Sequence, residues 1–208
     1  IHEVKLDIAG QGLRYVPGDR LGIFPQNSPE LVQKTLNALR ATGKEQLGLT
    51  TTWRAALAEI LDGVPAMIPL ATFLSYAKLR PLPRTAGKIL FGLSRCRGLG
   101  ELLERREEDQ IELWDAIEML AAENYDVKRL WSAAPWEAES IVRIIPPENF
   151  RIYSISSTPA QADDEQSPSE VTLTVSRLAF ASQPVAGRAA VTRHGTASGY
   201  LVGTAESM

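Results

Sequence analysis

Four consecutive residues, Arg151-Ile152-Tyr153-Ser154, place a guanidinium, a phenol and a hydroxyl in one β-prone run. In an extended strand, residues two apart share a face, so Arg151 and Tyr153 project together. A ligand with an anionic group beside a flat ring suits that pair: guanidinium binds phosphate, and the phenol covers the ring. For the spacing alone, the commoner case is a rim tyrosine beside a solvated arginine. A second stretch, Gly195-Thr196-Ala197-Ser198, is a small-residue turn leading into Gly199-Tyr200-Leu201. If a helix starts there, its free backbone N–H groups form an anion site, and the glycine lets a phosphate approach.

Other chemistry lacks its signature. No G-x-G-x-x-G follows a strand, because Gly98-Leu99-Gly100 lacks the third glycine and sits among helical signals. There is no Walker loop and no local Ser–His–Asp signature. His194, beside Arg193, reads as a surface residue rather than a base, and the run Glu101 to Asp109 as a solvated helix face. The 22 basic and 25 acidic residues leave a net charge of -3, which argues against a nucleic-acid groove. Cys96 is the only cysteine, so neither an intrachain disulfide nor a cysteine zinc cluster forms, and two histidines make a histidine-rich metal site unlikely on composition.

The elements that position these residues follow a β, helical, β order. Val4, Leu6 and Ile8 alternate with Lys5 and Asp7, predicting a strand that Gly10-Gln11-Gly12 closes. Two more short extended pieces are expected at Leu13 to Val16 and Leu21 to Phe24, separated by Pro17-Gly18-Asp19. Ser28-Pro29-Glu30 opens a helix carrying Val32, Leu36 and Leu39. Further helices are expected from Trp53 to Leu61 with Thr52 as cap, from Ala71 to Leu79, twice between Gly98 and Glu123, from Asp126 to Trp131, and from Glu137 to Ile144. No strand is expected within 28–145. The β pattern returns with Arg151 to Ser156, then Val171 to Ser176, and then Gly187 to Thr192, with Gln161 to Ser169 as a polar loop. Three short N-terminal strands need partners, so pairing the two chain ends into one antiparallel sheet or barrel, with the helices inserted, is the economical arrangement.

The most apolar tract, Val64 to Leu74, is interrupted by Pro65 and Pro69 and is shorter than the ~20 residues a membrane helix needs. There is no signal-peptide pattern, so cytoplasmic localisation is expected, and Ile1 is expected to be the cut edge of a longer protein.

Together these segments resemble the FAD-binding domain of the diflavin reductases, the group of the sulfite reductase flavoprotein and the NADPH-cytochrome reductases. The resemblance rests on His2 to Asp7, Leu13 to Asp19 and Pro25-Gln26-Asn27. It also rests on Arg151-Ile152-Tyr153-Ser154 followed by Ile155-Ser156-Ser157, and on Gly195-Thr196-Ala197-Ser198 followed by Leu201. It implies an α+β fold: an antiparallel flavin-binding β-barrel of ferredoxin-NADP reductase type over 1–27 and 146–208. An all-helical connecting domain is inserted over 28–145. It also implies that Arg151 pairs with the FAD pyrophosphate, that Tyr153 lies on the isoalloxazine, and that Ile152 is part of the same flavin motif. Ser154 would sit at the ring's reactive edge as the catalytic residue. Thr174, Val175 and Ser176 would pass the cofactor with backbone contacts, Phe180 would stack on adenine, and Gly195, Thr196, Ala197 and Ser198 would hold the pyrophosphate from the other side. The cofactor implied is FAD, with NADPH and FMN belonging to a parent protein. The implied partners are an NADP-binding domain and a flavodoxin-like FMN domain or haem protein, with no nucleic acid and no membrane segment. The chain is then expected to be a truncated electron-relay module that lacks NADPH oxidation by itself. The alternative is a non-catalytic docking scaffold with a vestigial flavin site.

Overall fold

A computed structural model describes residues 1–158, 169–184 and 189–206, and shows an α+β chain with small two-stranded sheets. The chain divides into two compact units. The first takes Ile1–Pro25, Asn149–Phe180 and the chain from Arg193 onward; the second takes Gln26–Glu148 and the described part of 181–192.

The first unit begins with β1 (His2–Asp7) and β2 (Arg20–Ile23). Leu13 to Val16, expected to be extended, forms no strand. Its hydrogen bonds are spent on a local turn instead: Val16 N–H donates to Asp19 Oδ2 at 2.9 Å, and Asp19 N–H to Val16 O at 3.0 Å, around Gly18 at φ 92. An L side chain rarely takes that backbone angle, which glycine adopts freely.

In the second unit, α1 (Pro29–Leu39) is capped by the Ser28 hydroxyl, which accepts from Leu31 N–H. Then come β3 (Gln46–Gly48), α2 (Thr51–Ala58), β4 (Met67–Pro69) and α3 (Leu70–Tyr76). β3 and β4 pair antiparallel, so the helical block does contain strands. They are three residues each, too short to show alternation. Thr50, not Thr52, caps α2, its hydroxyl accepting from Trp53 N–H. The helix α4 (Arg84–Ser94) follows Pro83, and α5 (Arg97–Arg105) follows directly. A 3-10 turn over Glu108–Gln110 leads to α6 (Leu113–Ala122), and the block ends with α7 (Arg129–Ser132) and α8 (Ile141–Ile144). The charge run at 101–109 is not wholly solvated: Glu108 is buried and accepts from Arg84 Nη1 at 2.7 Å. Burial pushes the Glu108 carboxyl pKa up, but the Arg84 hydrogen bond, a backbone N–H and the Arg84 and Arg106 charges outweigh it, leaving the value lowered. The unit's core contains Leu39, Trp53, Leu57, Phe73, Leu99 and Ile117.

The chain returns with β5 (Arg151–Ser154), β6 (Glu170–Val175), β7 (Ala179–Ala181), β8 (Thr192–His194) and α9 (Thr196–Glu206). The loop expected at Gln161 to Ser169 lies outside the described residues up to 168. The strand expected at Gly187 to Thr192 lies outside them at 187–188, and the observed strand starts only at Thr192. β1 pairs antiparallel with β6, with Val4 opposite Leu173, and β2 pairs antiparallel with β5, with Ile23 opposite Arg151 and Arg20 opposite Ser154. A single bridge between Ile155 and Leu173 stitches the two pairs together. The apolar faces meet in a second core of Val4, Ile8, Ile155, Val171, Leu173, Val175, Leu201 and Val202. Burial of aliphatic side chains from both chain ends is therefore what holds this unit.

Candidate functional site: a hydroxyl- and cation-bearing strand edge

β5 forms because Ile152 and Tyr153 are β-prone and because β2 supplies its ladder. Its register puts Arg151 and Tyr153 on the face shared by Ile23 and Leu21. Arg151 is exposed, and its Nη1 donates to Asn149 O at 3.4 Å. Tyr153 is half-buried against the second core. Burial pushes the Tyr153 phenol pKa up, and the Arg151 charge pulls it partly back, so the cation and the ring are electrostatic neighbours. Ile152 and Ser154 point to the opposite face, both exposed.

The two serines after the strand tie it to β6. Ser156 N–H and Oγ–H both donate to Thr172 O, at 2.9 and 3.1 Å. Thr172 N–H donates to Ser157 Oγ at 3.0 Å, and Tyr15 Oη, 2.9 Å from that same oxygen, donates to Glu170 O. The Thr174 hydroxyl, exposed on β6, donates to Ser156 Oγ at 3.2 Å. Val175 turns its side chain into the core, while Ser176 is exposed just past the strand.

At the other end, Leu178 N–H donates to Ser198 Oγ at 3.1 Å, and Gly195 N–H to Leu178 O at 2.9 Å. A Cβ at Gly195 would lie 2.9 Å from Ser198 Oγ and 3.1 Å from Leu178 Cβ, so a side chain there would have to displace the Ser198 hydroxyl. Gly195 thus sits where α9 begins, and Thr196, Ala197 and Ser198 form its first turn, whose backbone N–H groups lack intrahelical acceptors. Ala197 and Ser198 are buried, and Thr196 is half-buried. Phe180, on β7, is 42% exposed, leaving much of its ring uncovered.

By chemical type these groups suit a dinucleotide with two flat rings and a diphosphate: an exposed guanidinium, a ring on the same strand face, a second uncovered ring and a helix start preceded by a tightly packed glycine. Residues 1–90 match the family model described as the FAD binding domain. The chain is 30% identical over 208 residues to the sulfite reductase [NADPH] flavoprotein alpha-component of Salmonella paratyphi A, covering 99% of this chain and 29% of the relative. It is 29% identical over 203 residues to the protein of the same name from Photorhabdus laumondii, covering 97% of this chain and 28% of the relative. The Yersinia pestis counterpart is 30% identical over 204 residues, covering 97% and 28%. Its relatives are flavoproteins. The family match indicates FAD as the cofactor, and the chain spans less than a third of the length of these flavoprotein relatives.

Two features were not legible before the structure. Arg14 and Arg20 line a pocket of about 260 Å³ with Tyr15, Asp19, Leu21 and Ile155, and Arg20 lies directly across from Ser154. Pro17-Gly18-Asp19 separates the two arginines along the sequence, and only the folded chain brings them to one pocket. His194 is half-buried on β8 rather than a surface residue. Among the described residues no group of three metal-ligating side chains comes together, and no helix is long and apolar enough to cross a membrane.

Proposed function

We propose that this chain is the FAD-holding part of an NADPH-dependent oxidoreductase of the diflavin type, relaying electrons to an FMN- or haem-containing partner. The first unit is read as the flavin-binding barrel of ferredoxin-NADP reductase type, assembled from both chain ends, with residues 28–145 as the inserted connecting domain. The observation that carries the reading is the exposed Arg151 beside the half-buried Tyr153 on one face of β5. Arg151 binds the pyrophosphate, Tyr153 covers the isoalloxazine, and the α9 start from Gly195 to Ser198 offers backbone donors to the phosphates. Ser198 offers its amide, and its hydroxyl, whose oxygen accepts from Leu178 N–H, keeps a proton to give. Thr174 and Ser176 line the passage beside the ring, and Phe180 offers its open face to adenine. When bound, the flavin supplies the hydride-accepting and electron-donating chemistry that no side chain has. Ser154, exposed at the end of β5, orients and hydrogen-bonds the reacting edge of the ring.

Titrating FAD into the protein and following flavin fluorescence tests this. Arg151→Ala is expected to weaken binding by roughly 10- to 100-fold, the loss of charge-assisted hydrogen bonds to phosphate, and Arg151→Lys to recover only part. An unchanged dissociation constant for Arg151→Ala overturns the assignment. Ser154→Ala in the full-length protein is expected to slow flavin reduction by NADPH while leaving FAD affinity within about twofold.

A further inference from the structure

A serine hydroxyl has one proton. At Ser156 that proton goes to Thr172 O, at 3.1 Å, because a carbonyl only accepts. The Ser156 oxygen therefore receives, and the Thr174 hydroxyl donates to it, at 3.2 Å. Thr172 O itself is held by the Ser156 N–H at 2.9 Å, and Thr172 N–H by Ser157 Oγ at 3.0 Å, so the backbone beneath the two hydroxyls is fixed. Thr174 is exposed on β6, and its proton is turned inward. What it presents outward is lone pairs.

We propose that Ser156 is a positioning residue that sets the Thr174 hydroxyl as a hydrogen-bond acceptor, so that this edge takes a donor group of the flavin. The inference rests on the FAD reading above. A phosphate or a ring carbonyl brings only acceptor oxygens and gains nothing at Thr174. The donors that the flavin half of FAD offers are the imide N3–H of the isoalloxazine and the ribityl hydroxyls. Both share the chemistry required, and the experiment separates them.

The test measures dissociation constants of FAD, 3-methyl-FAD and 2′-deoxyribityl-FAD with the full-length protein carrying this sequence. Thr174→Val is expected to weaken FAD binding roughly tenfold, and Thr174→Ser to restore it to within about twofold. Whichever analogue lacks the donor used is expected to bind wild type roughly tenfold more weakly than FAD, but to show no further loss in Thr174→Val, as a coupled pair must. Ser156→Ala returns the proton to Thr174 and is expected to shrink the discrimination between FAD and that analogue to about twofold; Ser156→Thr, which keeps the hydroxyl, is expected to restore it. A merely structural role for Ser156 lowers all affinities together and leaves the ratio alone, which overturns the proposal. So does a Thr174→Val variant that loses as much on methylation or deoxygenation as wild type does. If Arg151→Ala weakens FAD binding while these ratios fail to couple, this inference falls and the FAD reading stands. If Arg151→Ala changes nothing, the reading itself has fallen.

Discussion

Tyr153 feels two opposing influences, burial that raises its pKa and the Arg151 charge that lowers it, with burial the larger. A folded value above the unfolded one, about 10 for tyrosine, means the folded state binds more protons across that interval. Its contribution to stability is therefore fully present below pH ~10 and declines as pH rises through the folded value. Removing the cation removes the downward pull, so Arg151→Ala is expected to move the Tyr153 phenolate transition to higher pH, and Tyr153→Phe to delete it. Ultraviolet titration of the phenolate checks this with no ligand present. A Tyr153 transition that ignores Arg151→Ala means the two side chains are not neighbours in solution. At this scale the sequence was informative, because a period of two places residues 151 and 153 on one face whatever the rest of the chain does. It said nothing about where Ser198 spends its hydroxyl, since Leu178 lies twenty residues away and only the folded chain joins them.

Among the elements, what was legible depended on whether the signal was local. Ser28-Pro29-Glu30 announced α1, and the structure shows the Ser28 cap and Pro29 at the first helical position. The helix α4 is missing from the helices expected from the sequence: Pro81 and Pro83 precede it and Gly87 interrupts its pattern, yet Pro83 is the residue before the helix. Gly87 is there for packing: a Cβ would lie 3.1 Å from Leu103 Cδ2. The end of α3 depends on a side chain from far upstream. Buried Asn27 donates its amide to Leu74 O at 2.8 Å and to Ala77 O at 2.7 Å. Asn27→Ala strands two carbonyls and is expected to cost about 2–3 kcal/mol in urea unfolding. Asn27→Asp sets a carboxylate against those same oxygens, which raises its folded pKa above the unfolded ~3.9. Its stability is then lost as pH rises through the folded value, so the variant is expected to be worse than Asn27→Ala at pH 7 and to recover on acidification. An Asn27→Asp variant that is equally stable at both ends of that range would show the amide is not needed there.

The described residues form two cores that share no residue, one from both chain ends and one from the stretch between. The return of β pattern after Phe150 made the end-to-end pairing legible, because strands at the start without partners would leave open edges. Register was not legible: Val4 opposite Leu173 and Ile23 opposite Arg151 are set by how the faces pack, not by any local signal. The four tryptophans, Trp53, Trp114, Trp131 and Trp136, all lie in the second unit, as do Tyr76 and Tyr125, whereas Tyr15, Tyr153 and Tyr200 lie in the first. Tryptophan therefore reports the second unit alone, and in a Tyr76→Phe, Tyr125→Phe background tyrosine reports the first alone. Leu173 is fully buried in the end-to-end core. Leu173→Ala is expected to cost about 2–5 kcal/mol there, through lost burial and the cavity left behind. Its thermal transition followed by tyrosine should move down while the tryptophan transition stays. FAD at a hundred times its dissociation constant should restore about 2.7 kcal/mol to the tyrosine-reported transition alone, because ligand bound only to the folded unit stabilises that unit. Equal movement of both transitions would show that the two cores melt as one cooperative body.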